Sequence, residues 1–279
     1  MNVVVVGAGT MGAGIAYSAA IAGHEIRLVE QNQKFLDQGI ARIDDYLSKG
    51  LNRGTITKDE ASRIRGKING TLDYSKACEN ADVAVEAVYE DENVKAKVFQ
   101  ALDRACPKSA ILASNTSSIS ISKLAQGTKR PEKVVGLHFF NPVPAMKLVE
   151  VIRGNETSPE TLKRAEAFAQ TMGKTIVHSA DRTGFIVNRS LMLFINESAR
   201  LLDEKVATPD DIDKAFILGA NHPMGPLQLA DFIGLDIVVD TLKVLEKDYG
   251  GKYTPAPILQ KLVSEQKLGR KTKRGFYDY

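Results

Sequence analysis

The chain has 279 residues, a hydrophobic content of 43% and a formal net charge of +3. This length can bury one large core or two moderate ones, which excludes a disordered or fibrous protein. The small net charge, with no accompanying motif, argues against a nucleic-acid partner. No apolar run approaches the ~20 residues that cross a bilayer, and Met1 leads almost directly into a strand without a leader, so we expect a cytoplasmic protein without a membrane segment. Cys78 and Cys106 lack CxxC spacing and nearby histidines, which predicts reduced thiols and no metal site.

Short β-branched segments alternate with helical patterns in the first half of the chain. The predicted strands are Val3 to Val6, Glu25 to Val29, Val83 to Val88, Ala110 to Ala113 and Val134 to Phe139. Such alternation predicts an α/β fold with a mostly parallel sheet covered by helices. Between the second and third strands, residues 33–70 or so predict two helices, an inserted helical hairpin. Its second helix begins with a capping box formed by Thr57 and Glu60.

The second half changes from mixed to helical texture. Strands are predicted at Val149 to Ile152 and Thr175 to His178, on either side of a helix from about Pro159 to Met172. From Gly184 onward the pattern is helical, with helices predicted over Gly184 to Lys205, from Thr208 onward, and over about Gly225 to Asp248. We therefore expect an α/β domain over residues 1–183 and an all-helical domain over residues 184–279.

A glycine motif, GxGxxG, follows the first strand and opens a helix. In this pattern Gly7 makes the tight turn, Gly9 allows a pyrophosphate to approach the backbone, and Gly12 packs the helix against the strand. The helix N-terminus, with Thr10 and Met11, offers N–H groups and a positive dipole to the anion. The motif in this context predicts a Rossmann-type dinucleotide-binding domain.

The second strand ends in Glu30, about 20 residues beyond the motif, where a carboxylate accepts hydrogen bonds from a ribose 2′-hydroxyl. The same carboxylate would repel the 2′-phosphate of NADP, and no arginine immediately follows it. The sequence therefore favours NAD(H) and leaves NADP(H) open.

Polar side chains also follow other strands of the predicted sheet. Glu90 follows Val88, Asn115 and Ser117 follow the next strand, and His138 lies near the end of the one after. Ligands of open α/β sheets bind outside the carboxyl ends of the strands, so we expect these positions to converge on one crevice.

His138 is the best candidate for a proton-transferring group. Hydride transfer from an alcohol carbon needs a base near neutral pH, and histidine has the suitable pKa. If the chain reverses about Pro144, His138 and Glu150 become cross-strand neighbours. The carboxylate would then hold the ring in one tautomer and stabilise the imidazolium; the alternative is a buried structural pair. The other histidines, His24, His178 and His222, show no such partner.

Several longer motifs resemble the L-3-hydroxyacyl-CoA dehydrogenase family, and the layout is similar to its bacterial stand-alone 3-hydroxybutyryl-CoA members. The resemblance covers essentially the whole chain. Its most specific stretches are residues 114–118, 136–144, 148–152, 184–189 and 223–227. It implies an oxidoreductase that interconverts a short-chain (S)-3-hydroxyacyl-CoA and the 3-oxoacyl-CoA with NAD(H), in fatty acid or butyrate metabolism.

The resemblance also implies roles for individual residues. It makes His138 the catalytic acid and base and Glu150 its orienting carboxylate, and it places Ser117 and Asn188 on the substrate oxygens. Its further cofactor contacts are Glu90, Lys95, Asn115, Asn141 and Lys271. The alternatives are a helix cap for Ser117, a capping or core amide for Asn188, and a solvated charge for Lys271.

Basic residues outnumber acidic ones in the inserted hairpin, which suits coenzyme A phosphates, and in the family this hairpin is the CoA-binding arm. Arg53 and Lys58 are the first candidates for that contact. Apolar residues of the helical domain, namely Phe185, Leu193, Phe194, Phe232 and Ile233, suit a homodimer interface or the domain's own core. The chain departs from the family at Thr183, often proline, and at Glu30, usually aspartate.

Two other functions share this scaffold. One is a dehydrogenase of a free hydroxy acid, which would not need the basic hairpin. The other is a catalytically silent NAD-binding protein related to lens crystallins, against which the joint presence of His138, Glu150, Ser117 and Asn188 argues.

Overall fold

The computed structural model describes all 279 residues, which form two compact units, Met1–Arg182 and Thr183–Tyr279. The first unit contains one eight-stranded sheet in the order β3-β2-β1-β4-β5-β6-β7-β8. Its strands are β1 (Asn2–Val6), β2 (Glu25–Val29), β3 (Ile68–Thr71), β4 (Val83–Glu86), β5 (Ile111–Ser114), β6 (Val134–Phe139), β7 (Leu148–Arg153) and β8 (Thr175–Ala180).

Strands β1 to β6 run parallel, and the direction changes only at β7, which is antiparallel to β6 and parallel to β8. Strands β4, β5 and β6 are buried along their whole length, because helices cover both faces of a parallel sheet. The helices of this unit are α1 (Thr10–Ile21), α2 (Gln33–Asn52), α3 (Lys58–Gly66), α4 (Tyr74–Cys78), α5 (Glu92–Ala105), α6 (Ile121–Gln126) and α7 (Pro159–Thr171). The predicted α/β fold class is confirmed.

The inserted hairpin consists of α2 and α3. The capping box at the start of α3 is present, with Thr57 and Glu60 each bonded to the backbone of the other. The prediction was wrong at the end of this segment, because residues 68–70 are not helical but belong to the edge strand β3. Only Ile68 of that strand is deeply buried, and pairing with β2 rather than a hydrophobic pattern stabilises it.

The fourth strand is also shorter than predicted, since β4 ends at Glu86 and not at Val88. The carboxylate of Glu86 accepts a hydrogen bond from the backbone N–H of Val88 at 2.7 Å. This bond turns the chain away from the sheet and offers the backbone an alternative to the strand ladder.

The second unit is all helical and contains α8 (Val187–Asp203), α9 (Pro209–Gly219), α10 (Pro226–Ile233), α11 (Leu235–Tyr249) and α12 (Pro257–Ser264). Two predictions were wrong in detail. The first helix begins at Val187 because Gly184 and Phe185 have positive φ values of 75° and 46°. The helix expected over residues 225–248 is two helices, broken at Gly234 with φ 106°. No helix is both long and apolar enough to cross a membrane.

Candidate active site

The turn between β1 and α1 contains three glycines with different surroundings. Gly7 has φ +100°, and a Cβ on it would lie 2.5 Å from the carbonyl oxygen of Ala87. A Cβ on Gly12 would lie 1.8 Å from the carbonyl oxygen of Gly7, whereas one on Gly9 would meet no atom within 4 Å. Gly7 and Gly12 are therefore required by the packing of the turn, while Gly9 leaves space for an approaching ligand.

This difference predicts opposite outcomes for two alanine substitutions. Gly12→Ala should lower the free energy of unfolding by about 1–3 kcal/mol, because the added methyl group overlaps the backbone of Gly7. Gly9→Ala should keep the melting temperature and raise the NADH dissociation constant more than about tenfold, because its methyl group occupies the ligand's space. Thermal melts and NADH titrations of both variants test this. Equal melting temperatures for the two variants would contradict the steric argument.

A cavity of about 550 Å³ opens beside this turn and is lined in part by Gly9, Thr10 and Met11. Gly9 precedes α1 and has no side chain to cap its first turn. A bound anion can therefore accept hydrogen bonds from the free N–H groups and interact with the positive end of the helix dipole. Phe35 and Val94 also line the cavity, and such apolar groups suit a flat aromatic base.

Glu30, directly after β2, lines the same cavity. Its Oε2 atom is buried and has no hydrogen-bond partner. Burial raises the pKa of Glu30, against the lowering effect of the backbone N–H groups of Gln31 and Ala8. A ribose diol would supply the missing donors. The glycine turn, the uncapped helix end and this unsatisfied carboxylate therefore fit the adenosine side of an NAD molecule.

Beneath the cavity lies a buried ion pair. The Lys95 ammonium, on α5, is 2.6 Å from Oε1 of Glu86, and the two side chains are 1% and 0% exposed. Oε2 of Glu86 accepts a hydrogen bond from the Ser114 hydroxyl at 2.6 Å. Lys95 also lies 3.2 Å from Oε2 of Glu90 and 3.3 Å from the carbonyl oxygen of Val88. The three donors of the ammonium thus have three oxygen partners.

Glu90 joins this ion pair to the loop after β5. Its Oε1 accepts hydrogen bonds from the Thr116 hydroxyl at 2.5 Å, the Ser117 N–H at 2.9 Å and the Ser118 N–H at 3.1 Å. Burial would raise the pKa of Glu90, but the charge of Lys95 and the hydrogen bonds from Thr116 and Ser117 outweigh it and hold the pKa below its ordinary value. Glu90 is therefore a carboxylate that fixes the serine-rich loop.

The same loop is tied to the next strand by Asn115, whose Oδ1 accepts the N–H of Phe139 at 2.9 Å. The Ser117 hydroxyl has only a long contact, 3.4 Å, with Oε1 of Glu90. The structure thus brings Glu90, Lys95, Asn115 and Ser117 together. Ser117 is not a helix cap, because the cap of α6 is Ser120.

His138 and Glu150 lie opposite each other on β6 and β7, and Nδ1 of the histidine is 2.6 Å from Oε2 of Glu150. Glu150 is fully buried, and His138 is nearly so. The ring of Phe140 packs against the imidazole with centroids 4.5 Å apart. The carboxylate fixes Nδ1 as the protonated nitrogen, so Nε2 is the atom that can exchange a proton with a substrate.

The loop between β6 and β7 carries Asn141, which is exposed. Lys174, after α7, is 8% exposed and donates to the carbonyl oxygens of Val143 at 2.5 Å and Met146 at 2.8 Å. Burial lowers the pKa of Lys174. Val143 also packs where a Cβ on Gly14 of α1 would lie, so the loop is held from two sides.

A second cavity, a groove of about 730 Å³, lies between α2 and the β6–β7 loop. Lys49 of α2 and Arg53, directly after this helix, line it on one side, and Pro142 and Pro144 line it on the other. Lys58, the first residue of α3, is exposed and does not line this groove. Of the two residues favoured from the sequence, the structure therefore places only Arg53 in a cavity.

Two further candidate residues belong to the helical unit. Asn188 lies in the first turn of α8 and is half-buried. The Lys271 ammonium is 2.5 Å from the carboxylate of Asp236, in the first turn of α11. Their predicted contacts with substrate and cofactor stay predictions.

Sequence reasoning missed the buried members of the site. Glu86 and Thr116 hold Glu90 and Lys95 in place, and Lys174 holds the loop of Asn141. A signal existed for Glu86, because an acid that ends a buried strand needs a partner in the fold. No sequence signal marks Lys174, whose partners are backbone carbonyls.

Comparison with known proteins identifies the class. The family model described as the NAD-binding domain of 3-hydroxyacyl-CoA dehydrogenase matches residues 2–182. The model of the C-terminal domain of the same enzyme matches residues 184–279. The chain belongs to the 3-hydroxyacyl-CoA dehydrogenase family, as its motifs indicated, and its cofactor is NAD(H).

Individual relatives show which members of this family the chain is similar to. The chain is 45% identical to a 3-hydroxybutyryl-CoA dehydrogenase of Clostridioides difficile, over 100% of this chain and 99% of that protein. It is 46% identical to a probable 3-hydroxybutyryl-CoA dehydrogenase of Bacillus subtilis, over 100% and 97%. The crystal structure of (S)-3-hydroxybutyryl-CoA dehydrogenase from Ralstonia eutropha superposes with a TM-score of 0.94 at 40% identity, covering 99% of this chain and 98% of that one.

Proposed function

We propose that this chain interconverts (S)-3-hydroxybutyryl-CoA and acetoacetyl-CoA, or close short-chain homologues, by hydride transfer with NAD(H). The observation that carries the proposal is the contact of 2.6 Å between Nδ1 of His138 and Oε2 of Glu150. It lies at the end of a strand whose neighbour, β5, leads into the loop held by Glu90. The names of the relatives support the choice of substrate.

In the oxidative direction, the C3–H bond of the alcohol breaks and its electron pair leaves as a hydride, for which NAD⁺, when bound, would be the acceptor. The hydroxyl proton passes to Nε2 of His138, and a C3–O double bond forms. Glu150 stabilises the imidazolium, because a buried carboxylate favours the charged ring. In the reductive direction, the same nitrogen returns the proton to the alkoxide oxygen.

Ser117 and Asn188 are proposed to bind the substrate oxygens. The Ser117 N–H is already committed to Glu90, while its hydroxyl makes only the long contact with that carboxylate. A hydroxyl with capacity to donate can stabilise negative charge on a thioester or 3-oxo oxygen. The role of Asn188 rests on the family resemblance.

The groove beside α2 is proposed to receive the coenzyme A portion of the substrate. Arg42 and Arg53, which have no ion-pair partner, give it positive charge, whereas Lys49 is paired there with Asp45 at 2.6 Å. Phosphate groups are the natural partners of such guanidinium side chains. Lys58, exposed at the start of α3, is proposed as a peripheral contact.

The decisive experiment follows NADH absorbance with acetoacetyl-CoA, with free acetoacetate and with NADPH in parallel. Oxidation of NADH that requires the CoA thioester is the expected result. Activity on the free acid alone would assign the chain to the hydroxy-acid dehydrogenases. NADH binding without turnover of either compound would indicate a silent NAD-binding protein.

The buried carboxylate of Glu30 predicts a pH dependence of cofactor binding. The ionised form accepts both ribose hydroxyls, and burial raises the pKa of Glu30. NAD⁺ affinity should therefore fall as the pH decreases through that raised pKa, earlier than for an ordinary glutamate. Glu30→Gln should weaken binding by about 10- to 100-fold at neutral pH and remove this dependence. Calorimetric titrations with NAD⁺ from pH 5 to 8 test the prediction, and a parallel pH profile in the variant would contradict it.

We also propose that the helical unit forms a homodimer. Phe194 and Phe216 pack edge to face with centroids 4.7 Å apart, and Leu218, which follows Phe216 closely in the sequence, is 82% exposed. Phe232 is half exposed, while Phe185 is buried and Leu193 and Ile233 pack against the unit's core. Light scattering should show a dimer. Leu218→Lys should weaken it, whereas Val206→Lys, an exposed control, should not.

The cytoplasmic location stays a prediction, which cell fractionation would test.

A further inference from the structure

Helix α2 presents one continuous face to both cavities of the first unit. Residues three or four apart lie on the same side of a helix, and the lining residues of α2 follow this spacing. Those of the cofactor cavity come first and those of the groove follow: Phe35, Gln38, Arg42, Asp45, Tyr46, Lys49 and Gly50, with Arg53 directly after the helix. Helix α2 therefore forms one wall of both binding spaces.

Arg42 is the residue of this face that lines both cavities, the one of about 550 Å³ and the groove of about 730 Å³. It lies near the middle of α2, where the cofactor part of the face ends and the groove part begins. A guanidinium has five N–H donors in a fixed planar fork, so it can serve acceptors on two sides at once.

The charge of Arg42 is also uncommitted. Lys49, on the same face, is paired with Asp45 at 2.6 Å, and Arg65 of α3 is paired with Asp44 at 2.9 Å. No carboxylate lies within ion-pair distance of Arg42, and its side chain makes no hydrogen bond within the protein. Arg42 is also exposed, so a ligand can reach it. Asp44 and Asp45 therefore neutralise neighbouring cations, and the guanidinium of Arg42 stays available to anionic ligands.

We propose that Arg42 contacts phosphate groups of both the dinucleotide and coenzyme A and thereby couples the binding of the two. The proposal rests on the proposed function, because the groove must take the CoA portion of the substrate. Both ligands carry negatively charged phosphate groups, and without a cation between them each would oppose the binding of the other. Arg42 offsets this repulsion, so each ligand binds the occupied protein nearly as well as the empty one.

The test measures the coupling directly. The chain contains no tryptophan, so emission of bound NADH can be followed without transfer from an indole. NADH dissociation constants are measured alone and with saturating free coenzyme A, and coenzyme A is titrated by calorimetry with and without NADH. Free coenzyme A avoids turnover.

For Arg42→Gln we expect both binary dissociation constants to rise about 3- to 10-fold. Coenzyme A should then weaken NADH binding by a further factor of about five, and NADH should weaken coenzyme A binding equally, because coupling is reciprocal. Arg42→Lys should restore part of the coupling through its charge. At high salt the dissociation constants of wild type and Arg42→Gln should become similar, since exposed charges are screened.

Two matched variants serve as controls. Lys34→Gln removes a charge from the same helix at an exposed position that lines neither cavity, and it should leave all constants unchanged. Lys49→Gln should weaken the binding of coenzyme A and leave the binding of NADH unchanged. A melting temperature equal to that of wild type is required to establish that Arg42→Gln is folded.

An Arg42→Gln variant that weakens only one ligand, or neither, while the wild type binds both, would overturn the shared contact and leave the proposed function intact. A wild type that binds NADH but no coenzyme A would instead refute the proposed function, and the inference with it.

Discussion

Replacing His138 with glutamine should lower kcat for acetoacetyl-CoA reduction by about 10²- to 10⁴-fold, the usual contribution of a general acid or base. Glutamine retains a polar group beside the buried carboxylate of Glu150 but cannot deliver a proton from the Nε2 position. The NADH dissociation constant should stay within about twofold of wild type, because His138 does not line the dinucleotide cavity. Steady-state kinetics with acetoacetyl-CoA and direct NADH titrations provide the measurements.

The matched control is His24→Gln. His24 is as deeply buried as His138, at 6% exposure, and it contacts the Thr171 hydroxyl at 2.7 Å, outside the proposed chemistry. Both substitutions therefore carry a packing cost, and only His138→Gln should lose turnover. A loss of kcat below about tenfold in His138→Gln would indicate that the His138–Glu150 pair is structural, since proton transfer contributes at least ~10².

The pairing of His138 with Glu150 shows what sequence can predict about a site. A strand, a proline-rich turn and a second strand define a reversal, and equal distances from Pro144 predict the partner across the ladder. The structure pairs these residues in register. The same logic of local pattern predicted the glycine turn, the parallel sheet and the capping box of α3.

Local sequence patterns do not predict elements that are stabilised by pairing with residues distant in the chain. The edge strand β3 contains Asn69 and Gly70, which are typical of turns, and it exists because its backbone pairs with β2. The break at Gly234 depends on one positive φ value, which glycine permits but does not require. Hydrophobic periodicity carries no information on either feature.

The interior of the site was the least predictable part. Glu90 and Lys95 were expected to contact the cofactor, yet the structure shows them first of all in contact with each other and with Glu86. Sequence identifies which polar residues follow the strands, but the partners of a buried charge depend on how the end of β4, the loop after it and α5 pack against one another and against the loop after β5.

The second large effect is expected at the buried ion pair of Lys95 and Glu86. Lys95→Met should destabilise the first unit by about 3–5 kcal/mol, because it leaves the fully buried carboxylate of Glu86 without its counter-ion. The melting temperature should fall by roughly 10 °C. Loss of the Lys95 charge also removes the main cause of the low pKa of Glu90. A lowered pKa stabilises the fold above the ordinary pKa of glutamate and is lost as the pH falls through the lowered value. Acid unfolding of the variant should therefore begin at a higher pH than in wild type.

The double variant Lys95→Met with Glu86→Gln separates the buried charge from the missing contact. It removes both ions. The oxygen of a neutral amide can still accept from the Val88 N–H, and its NH2 group can donate to the Ser114 hydroxyl oxygen, at the two positions where Glu86 oxygens now accept. We expect it to regain much of the lost stability, because a buried pair costs most when one partner stands alone. Melts of the cofactor-free single and double variants measure this coupling, and NADH titrations of the double variant measure any direct contact of Lys95 with the cofactor. If the single variant melts within about 2 °C of wild type, Glu86 is not held as an anion by Lys95. Its role beneath the cavity would then be that of a neutral hydrogen-bonding group.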